Sequence, residues 1–407
     1  MSHGTTRRIA VLAGAMAVIA AIATVSGRST AQAATRAPGG PLTEAAVLDS
    51  DIVFYSARIA RDPEGALDRA KLGSLYLQRA RQTGSPEDLV RAEKVARESF
   101  GLRTRKNGIA LQVLAFSLMG QHRFAEALDE ARVLVQDDST SISNRSLLGE
   151  IEMELGLYAS ADSTFKSLKS WGYKLTVAPR LARWKELTGH PDSARMILLA
   201  ARDDAMRQPN LPLEQKAWFD LRLGDLAFRS QHLDEAERNY LAGLAISPDD
   251  YRLLAAMSRL ESARHRWDSA IDYGQRAIAL VPDPATLGLL GDALAAQGDS
   301  AGAEEYYHTM ELVVVRQPGA FHRAWSLFLL DHDRSLKTVL AKVQEEITQR
   351  KDIYGFDLLA WALYKNGRVV EARTAMQQAL KLGTQDPQLF RHAQIIEAAS
   401  ARRLVEN

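Results

Sequence analysis

The chain has 407 residues, with 51 basic against 50 acidic side chains and no cysteine. That balance supplies no electrostatic footprint for nucleic acid, and the lack of thiols excludes disulfides, thiolate metal sites and a thiol nucleophile. A hydrophobic share of 46% with only 26 glycines and 13 prolines excludes a disordered or collagen-like chain.

MSHGTTRR opens the sequence as a basic segment free of acids, and residues 9–25, IAVLAGAMAVIAAIATV, are apolar. Ala31 and Ala33 then supply the small residues of a cleavage site. Residues 1–33 therefore read as a secretory signal peptide cut before Ala34, with a periplasmic or secreted mature chain as the expectation. The alternative is a membrane anchor over 9–25, but these 17 residues are short for a span, which needs roughly 20. Arg7-Arg8 followed by Ala10-Val11 lacks the strong apolar continuation of a twin-arginine signal. Cleavage would remove Arg7, Arg8 and Arg28 and no acid, leaving 48 basic and 50 acidic residues.

Beyond a linker at 34–44, one pattern recurs. Leu72-Gly73, Leu114-Ala115, Leu148-Gly149, Leu223-Gly224, Leu290-Gly291 and Leu359-Ala360 share a core, and Leu181-Ala182 and Met257-Ser258 fill two gaps. The steps between small residues up to Gly291 are 42, 34, 33, 42, 34 and 33 residues, and a further 69 lead to Ala360. Twelve residues after the small residue stands an alanine: Ala127, Ala161, Ala194, Ala236, Ala270, Ala303 and Ala372. Apolar or small residues follow four and seven positions later, which places them on one helical face. Gly156, Gly189, Gly298 and Gly367 mark a turn between two helices, where glycine can take the left-handed conformation that ends a helix. Pro248, Pro282 and Pro387 stop the second helix. A fixed period of this length marks a stacked helical array, which grows by addition.

The two 42-residue steps differ in kind. RARQTGSPEDL is expected to widen the turn of the first repeat, which puts its alanine at Ala92; RDDAMRQPNLPLEQ separates two repeats, with Pro209 and Pro212 marking a linker at 203–214. The expected organisation is repeats over 45–202, that linker, repeats over 215–400 and a tail at 401–407. Residues 170–180 are irregular, and the repeat at 318–350 can be registered on Ala324 or on Ser326.

The segments DLLAWALYKNGRVVEARTAMQQALKLGTQDP (357–387) and LRLGDLAFRSQHLDEAERNYLAGLAISPDD (221–250) resemble the tetratricopeptide repeat, a helix-turn-helix unit of 34 residues with small residues at positions 8, 20 and 27. The resemblance covers about 45 to 400. It implies an all-α, right-handed superhelical solenoid of about nine repeats, whose concave groove is lined by the first helix of each repeat and binds proteins or peptides. Position 9 of successive repeats, which projects into that groove in the family, reads Glu150, Arg183, Asp225, Arg259 and Asp292. The alternating signs suggest a charge ladder between neighbours or a polar strip for a ligand. Phe116, Met119, Trp218, Arg222, Phe228, Trp361 and Tyr364 add aromatic, apolar and arginine side chains to the same face, the types that dominate binding hot spots. The family's clamp for a C-terminal carboxylate needs Asn at position 9, which these repeats lack.

No zincin, nucleophile-elbow, P-loop or dinucleotide motif occurs. His122, His190, His232 and His265 sit at repeat turns about 10 Å apart, too far to share one metal ion, and His322 and His332 cannot supply a third ligand. The leading reading is an exported, non-catalytic scaffold that binds a protein or extended peptide, without cofactor, metal or nucleic acid. The alternative is a structural or oligomerising component of an envelope assembly. An enzyme hidden among the helices is the least supported.

Overall fold

The computed structural model describes residues 43–168, 175–316 and 323–406. The expected export segment, nearly all of the linker at 34–44, His322 and residues 170–174 of the irregular stretch lie outside the described residues.

The described residues form α-helices and no strand. A helix precedes the first repeat, α1 (Glu44–Arg61). Nine helical hairpins follow: α2 (Ala66–Thr83) with α3 (Pro86–Leu102), α4 (Gly108–Gly120) with α5 (Phe124–Asp137), α6 (Ile142–Glu154) with α7 (Tyr158–Leu168), and α8 (Ala178–Leu187) with α9 (Pro191–Arg207). The fifth and sixth are α10 (Leu213–Arg229) with α11 (Leu233–Ile246) and α12 (Tyr251–Ala263) with α13 (Trp267–Leu280). The last three are α14 (Pro284–Ala296) with α15 (Ser300–Val315), α16 (Arg323–Asp331) with α17 (Leu336–Glu346), and α18 (Ile353–Lys365) with α19 (Val369–Ala379). A closing helix, α20 (Pro387–Glu406), packs on α18 and α19.

The first helices α2 and α4, α6 and α8, and α12 and α14 pack on one another as well as on their own second helices, so that α4 lies between α5 and α2. They are therefore apolar around most of their circumference: Ala110, Leu111, Val113, Leu114, Ala115 and Leu118 of α4 are all buried. Second helices bury one stripe, such as Ala127, Leu128, Ala131 and Leu134 of α5.

From the second repeat on, the hairpin turns obey one rule. The turn residue seven after the small residue is left-handed, and the next N–H closes back on a carbonyl five residues earlier, as in Leu157 to Glu152 (2.8 Å), Asp299 to Leu294 (3.0 Å) and Arg368 to Leu363 (2.9 Å). His122, Gln231, His265 and Asp333 occupy that position as readily as glycine, with φ of 60°, 61°, 57° and 54°. The left-handed Asp333 with the bond from Arg334 to Leu329 (2.7 Å) registers the eighth repeat on Ser326, which is buried. A second left-handed residue, Ser335, adds one position, so Val339 is buried where Thr338 would have been.

Two expectations change in detail. The extra residues of the first repeat lengthen α2 and α3 themselves, while the turn stays short at Gly84 and Ser85; Ser85 Oγ accepts from Asp88 N at 3.3 Å and caps α3. Between the fourth and fifth repeats, α9 runs to Arg207 and α10 starts at Leu213, so only 208–212 lie outside helices.

The chain forms two compact units. Among the described residues, one contains those up to Val47, Pro212–Phe228 and Leu233–Trp325; the other contains those of Leu48–Leu211, Arg229–His232 and from Ser326 on. Residues 208–211 belong to the second unit and Pro212 to the first, and repeats 8 and 9, from Ser326 on, lie in the same unit as repeats 1 to 4.

Candidate binding surface

In the unit built around repeats 5 to 7, α10 presents Trp218, Arg222, Asp225 and Phe228 at spacings of four, three and three, which is one helical face. Between them Leu221, Leu223, Gly224, Leu226 and Ala227 are buried, so the core holds this face outward. The Arg222 guanidinium lies 6.0 Å from the Trp218 ring centre and its Nη1 is 3.2 Å from Asp225 Oδ2. From α12, Arg259 lies 4.9 Å over the Phe228 ring and donates to Asp225 Oδ1 at 2.7 Å and to the Tyr240 hydroxyl at 3.1 Å. The Tyr240 hydroxyl itself donates to Asp225 Oδ1 at 3.0 Å, and burial together with the Asp225 charge raises its pKa. Trp218 and Phe228 are half-buried, while 44% of the Arg259 side chain remains exposed.

One rung of the expected ladder thus forms, Asp225 with Arg259. The others are built differently. Asp292 accepts from the Tyr307 hydroxyl at 2.8 Å. In the other unit, Glu150 pairs with Arg180 of the next repeat at 2.5 Å rather than with Arg183, and the Arg180 guanidinium lies 5.7 Å from the Phe116 ring centre. Phe116 is 37% exposed; Met119 is half-buried against the core of repeats 1 to 3. Arg183 pairs with Glu186 at 2.7 Å and donates to the Tyr354 hydroxyl at 2.9 Å, 171 residues away. Burial lowers the Arg183 pKa, but Tyr354, Glu186 and Glu154 outweigh that effect and leave it raised.

Two candidates belong to packing in this structure. Trp361 is 7% exposed, stacks on His392 at 4.2 Å and donates from Nε1 to Asp331 at 2.8 Å. Tyr364 is half-buried and stacks on Trp361 at 5.1 Å. A first-helix aromatic in the last repeat meets the closing helix, which covers the face that earlier repeats leave open. His122, His190, His232 and His265 are exposed at four separate turns, and His332 packs its ring on Phe328 at 4.2 Å.

Position-9 spacing did not point to Tyr240, Tyr307, Arg180 or Tyr354. The first two had a signal: Gly224-Asp225 and Gly291-Asp292 are each followed by a tyrosine fifteen residues after the aspartate. Tyr354 had none.

Exposed pairs contribute about 0–1 kcal/mol. Arg259→Ala should therefore lower the unfolding free energy by no more than about 1 kcal/mol in urea titration, because its Asp225 partner keeps Tyr240. A loss of about 3 kcal/mol, the range of a broken buried pair, would make this rung a determinant of the fold.

The faces offer aromatic rings, guanidinium groups and carboxylates, the chemistry of recognition. Among the described residues no helix is long and apolar enough to cross a membrane. No family model matches the chain, and no curated protein matches it. Among solved structures, human IFIT1, determined as a dimer with PPP-AAAA, is 14% identical; the match covers 78% of this chain and 73% of that one, with a TM-score of 0.51. PilW, described as a widely conserved type IV pilus biogenesis factor, is 17% identical over 55% of this chain and 99% of its own, with a TM-score of 0.42. Pseudomonas aeruginosa pilF is 18% identical over 58% of this chain and 94% of its own, with a TM-score of 0.36. The likeness is one of fold: this chain is an all-α, tetratricopeptide-like helical-repeat protein.

Proposed function

We propose that this protein is an exported, non-catalytic scaffold that binds a protein segment or extended peptide along the first-helix face of repeats 5 to 7. The observation that carries this reading is the pairing of half-buried aromatic rings with guanidinium groups at Trp218/Arg222 and Phe228/Arg259 on a face that the core leaves open. Aromatic and arginine side chains held in place by packing lose little entropy on binding and are common anchors. Asp225 and Asp292 on the same face suit a partner with polar or basic groups and repel phosphates.

A displayed peptide library panned on the purified mature chain tests the reading. Enriched peptides should lose tenfold or more in affinity with Phe228→Ala or Arg259→Ala, while a variant on the opposite surface, Arg238→Ala, leaves them unchanged. A library that yields no peptide sensitive to these variants would sink the proposal, and binding of PPP-AAAA at the same face would replace the protein partner with another class. Export has its own check. The chain recovered from the envelope fraction should begin at Ala34 by N-terminal sequencing.

A further inference from the structure

In a solenoid each repeat needs only its neighbours to fold. Repeats 3 and 4 nevertheless touch repeats 8 and 9 within one unit of this protein. The segment joining α17 to α18 lies on the turn of repeat 3: Lys351 N donates to Leu155 O at 3.2 Å, Ile353 N to the Tyr158 hydroxyl at 2.7 Å, and Arg350 Nε to Glu154 O at 3.1 Å. Arg350 Nη2 also meets Glu154 Oε2 at 3.2 Å, and its guanidinium lies 4.9 Å from the Phe124 ring centre. One repeat further on, the segment joining α19 to α20 lies on the turn of repeat 4, where Gln385 Nε2 donates to Gly189 O at 3.3 Å. Between these two contacts Tyr354 accepts from Arg183 at 2.9 Å and donates to Asp386 at 3.2 Å.

The turns are shaped for this approach. A Cβ at Gly156 would stand 2.2 Å from Lys351 O, and one at Gly189 would stand 2.2 Å from Gly383 O. Gly298 and Gly367 occupy the same turn position with the same left-handed backbone, and a Cβ on either would meet nothing within 4 Å. An added Cβ would thus meet a backbone from the far end of the chain at two of these turns and open space at the other two.

We infer that repeats 8 and 9 with α20 form a strap that latches onto the turns of repeats 3 and 4 and opens without unfolding either. The contacts are hydrogen bonds, one ion pair and one cation–π contact, and Arg350 and Glu154 are each about 30% exposed, so water can reach this pair. No repeat depends on them for its own core. In the closed state Arg183 and Tyr354, at positions 9 and 2 of their repeats, satisfy each other. Opening breaks that bond and leaves Arg183 with Glu186 and Tyr354 with Asp386. The latch needs no peptide ligand and closes whether or not the face of repeats 5 to 7 binds one.

Four glycine variants separate the latch from the turn. Gly156→Ala, Gly189→Ala, Gly298→Ala and Gly367→Ala all place a side chain at positive φ. Hydrogen exchange of the peptide 349–354 should speed up tenfold or more in the first two only, with protection in α6, α8 and α18 retained. Trypsin should cut after Arg350 and Lys351 faster in the same two variants. Should a glycine variant fail to fold, Arg350→Ala combined with Tyr354→Phe removes polar contacts without touching the turns, and the same local release is expected. Acceleration that is equal in all four glycine variants, or absent from all, overturns the latch. So does loss of protection throughout α6 to α9, because the contact would then be part of global folding.

Discussion

Gly224→Ala is expected to destabilise the unit around repeats 5 to 7 by about 3 kcal/mol or more, the upper range for overpacking a close-packed core. The added Cβ would stand 2.3 and 2.4 Å from two ring carbons of Tyr240, which is fully buried. The ring cannot swing away cheaply, because its hydroxyl is held by Asp225 and Arg259. Gly291→Ala should behave alike, since its Cβ would lie 2.2 Å from a Tyr307 ring carbon. Other repeats show how the space is shared. Repeat 4 carries Ala182 with Leu198 at these two positions, repeat 2 carries Ala115 with Ala131, and repeat 6 carries Ser258 with Gly274. Gly224→Ala combined with Tyr240→Leu should therefore recover much of the loss in denaturant unfolding. If the double variant is no more stable than the single one, volume exchange across the hairpin is not what selects glycine here.

Asp357→Ala is expected to cost about 3–5 kcal/mol, as removal of one partner of a buried pair does. Asp357 and His392 are both 0% exposed, with His392 Nδ1 2.7 Å from Asp357 Oδ1. Nε2 of His392 is buried without a hydrogen-bond partner among the described residues, so the imidazole depends on this carboxylate. The pair joins α18 to the closing helix α20, and its loss should release α20 first, seen as faster amide exchange over 388–400. Replacing both residues with apolar ones, Asp357→Leu with His392→Phe, should cost far less than either truncation, because no polar atom is left stranded. A double variant as damaged as Asp357→Ala would show that packing against Trp361, and not pairing, carries the site.

Much of the array could be read from spacing. The small residues, the turn glycines and the alanine twelve residues on locate nearly every hairpin, because a helix face is written into intervals of three and four. The exchange between Gly224 and Tyr240 was also present in the sequence, as a repeated interval, although its meaning needed the ring's position. The ladder was harder to read. Like spacing placed Glu150, Arg183, Asp225, Arg259 and Asp292 on equivalent positions, yet only Asp225 and Arg259 pair with one another; the other three found partners through side-chain reach, Arg180 for Glu150, Tyr354 for Arg183 and Tyr307 for Asp292. An equivalent register sets where a side chain starts and leaves open where a long one ends.

The sequence by itself determined the repeat, its period, its turns and its near-neutral, cysteine-free chemistry. All of these are local, set by residues within one hairpin of each other. Only the tertiary structure decided that repeats 8 and 9 return to repeats 3 and 4, that Gly156 and Gly189 carry a second constraint, and that Trp361 is sealed by α20. Those contacts span 31 to 196 residues and join side chains and backbone of separate repeats. No interval within a single hairpin records them.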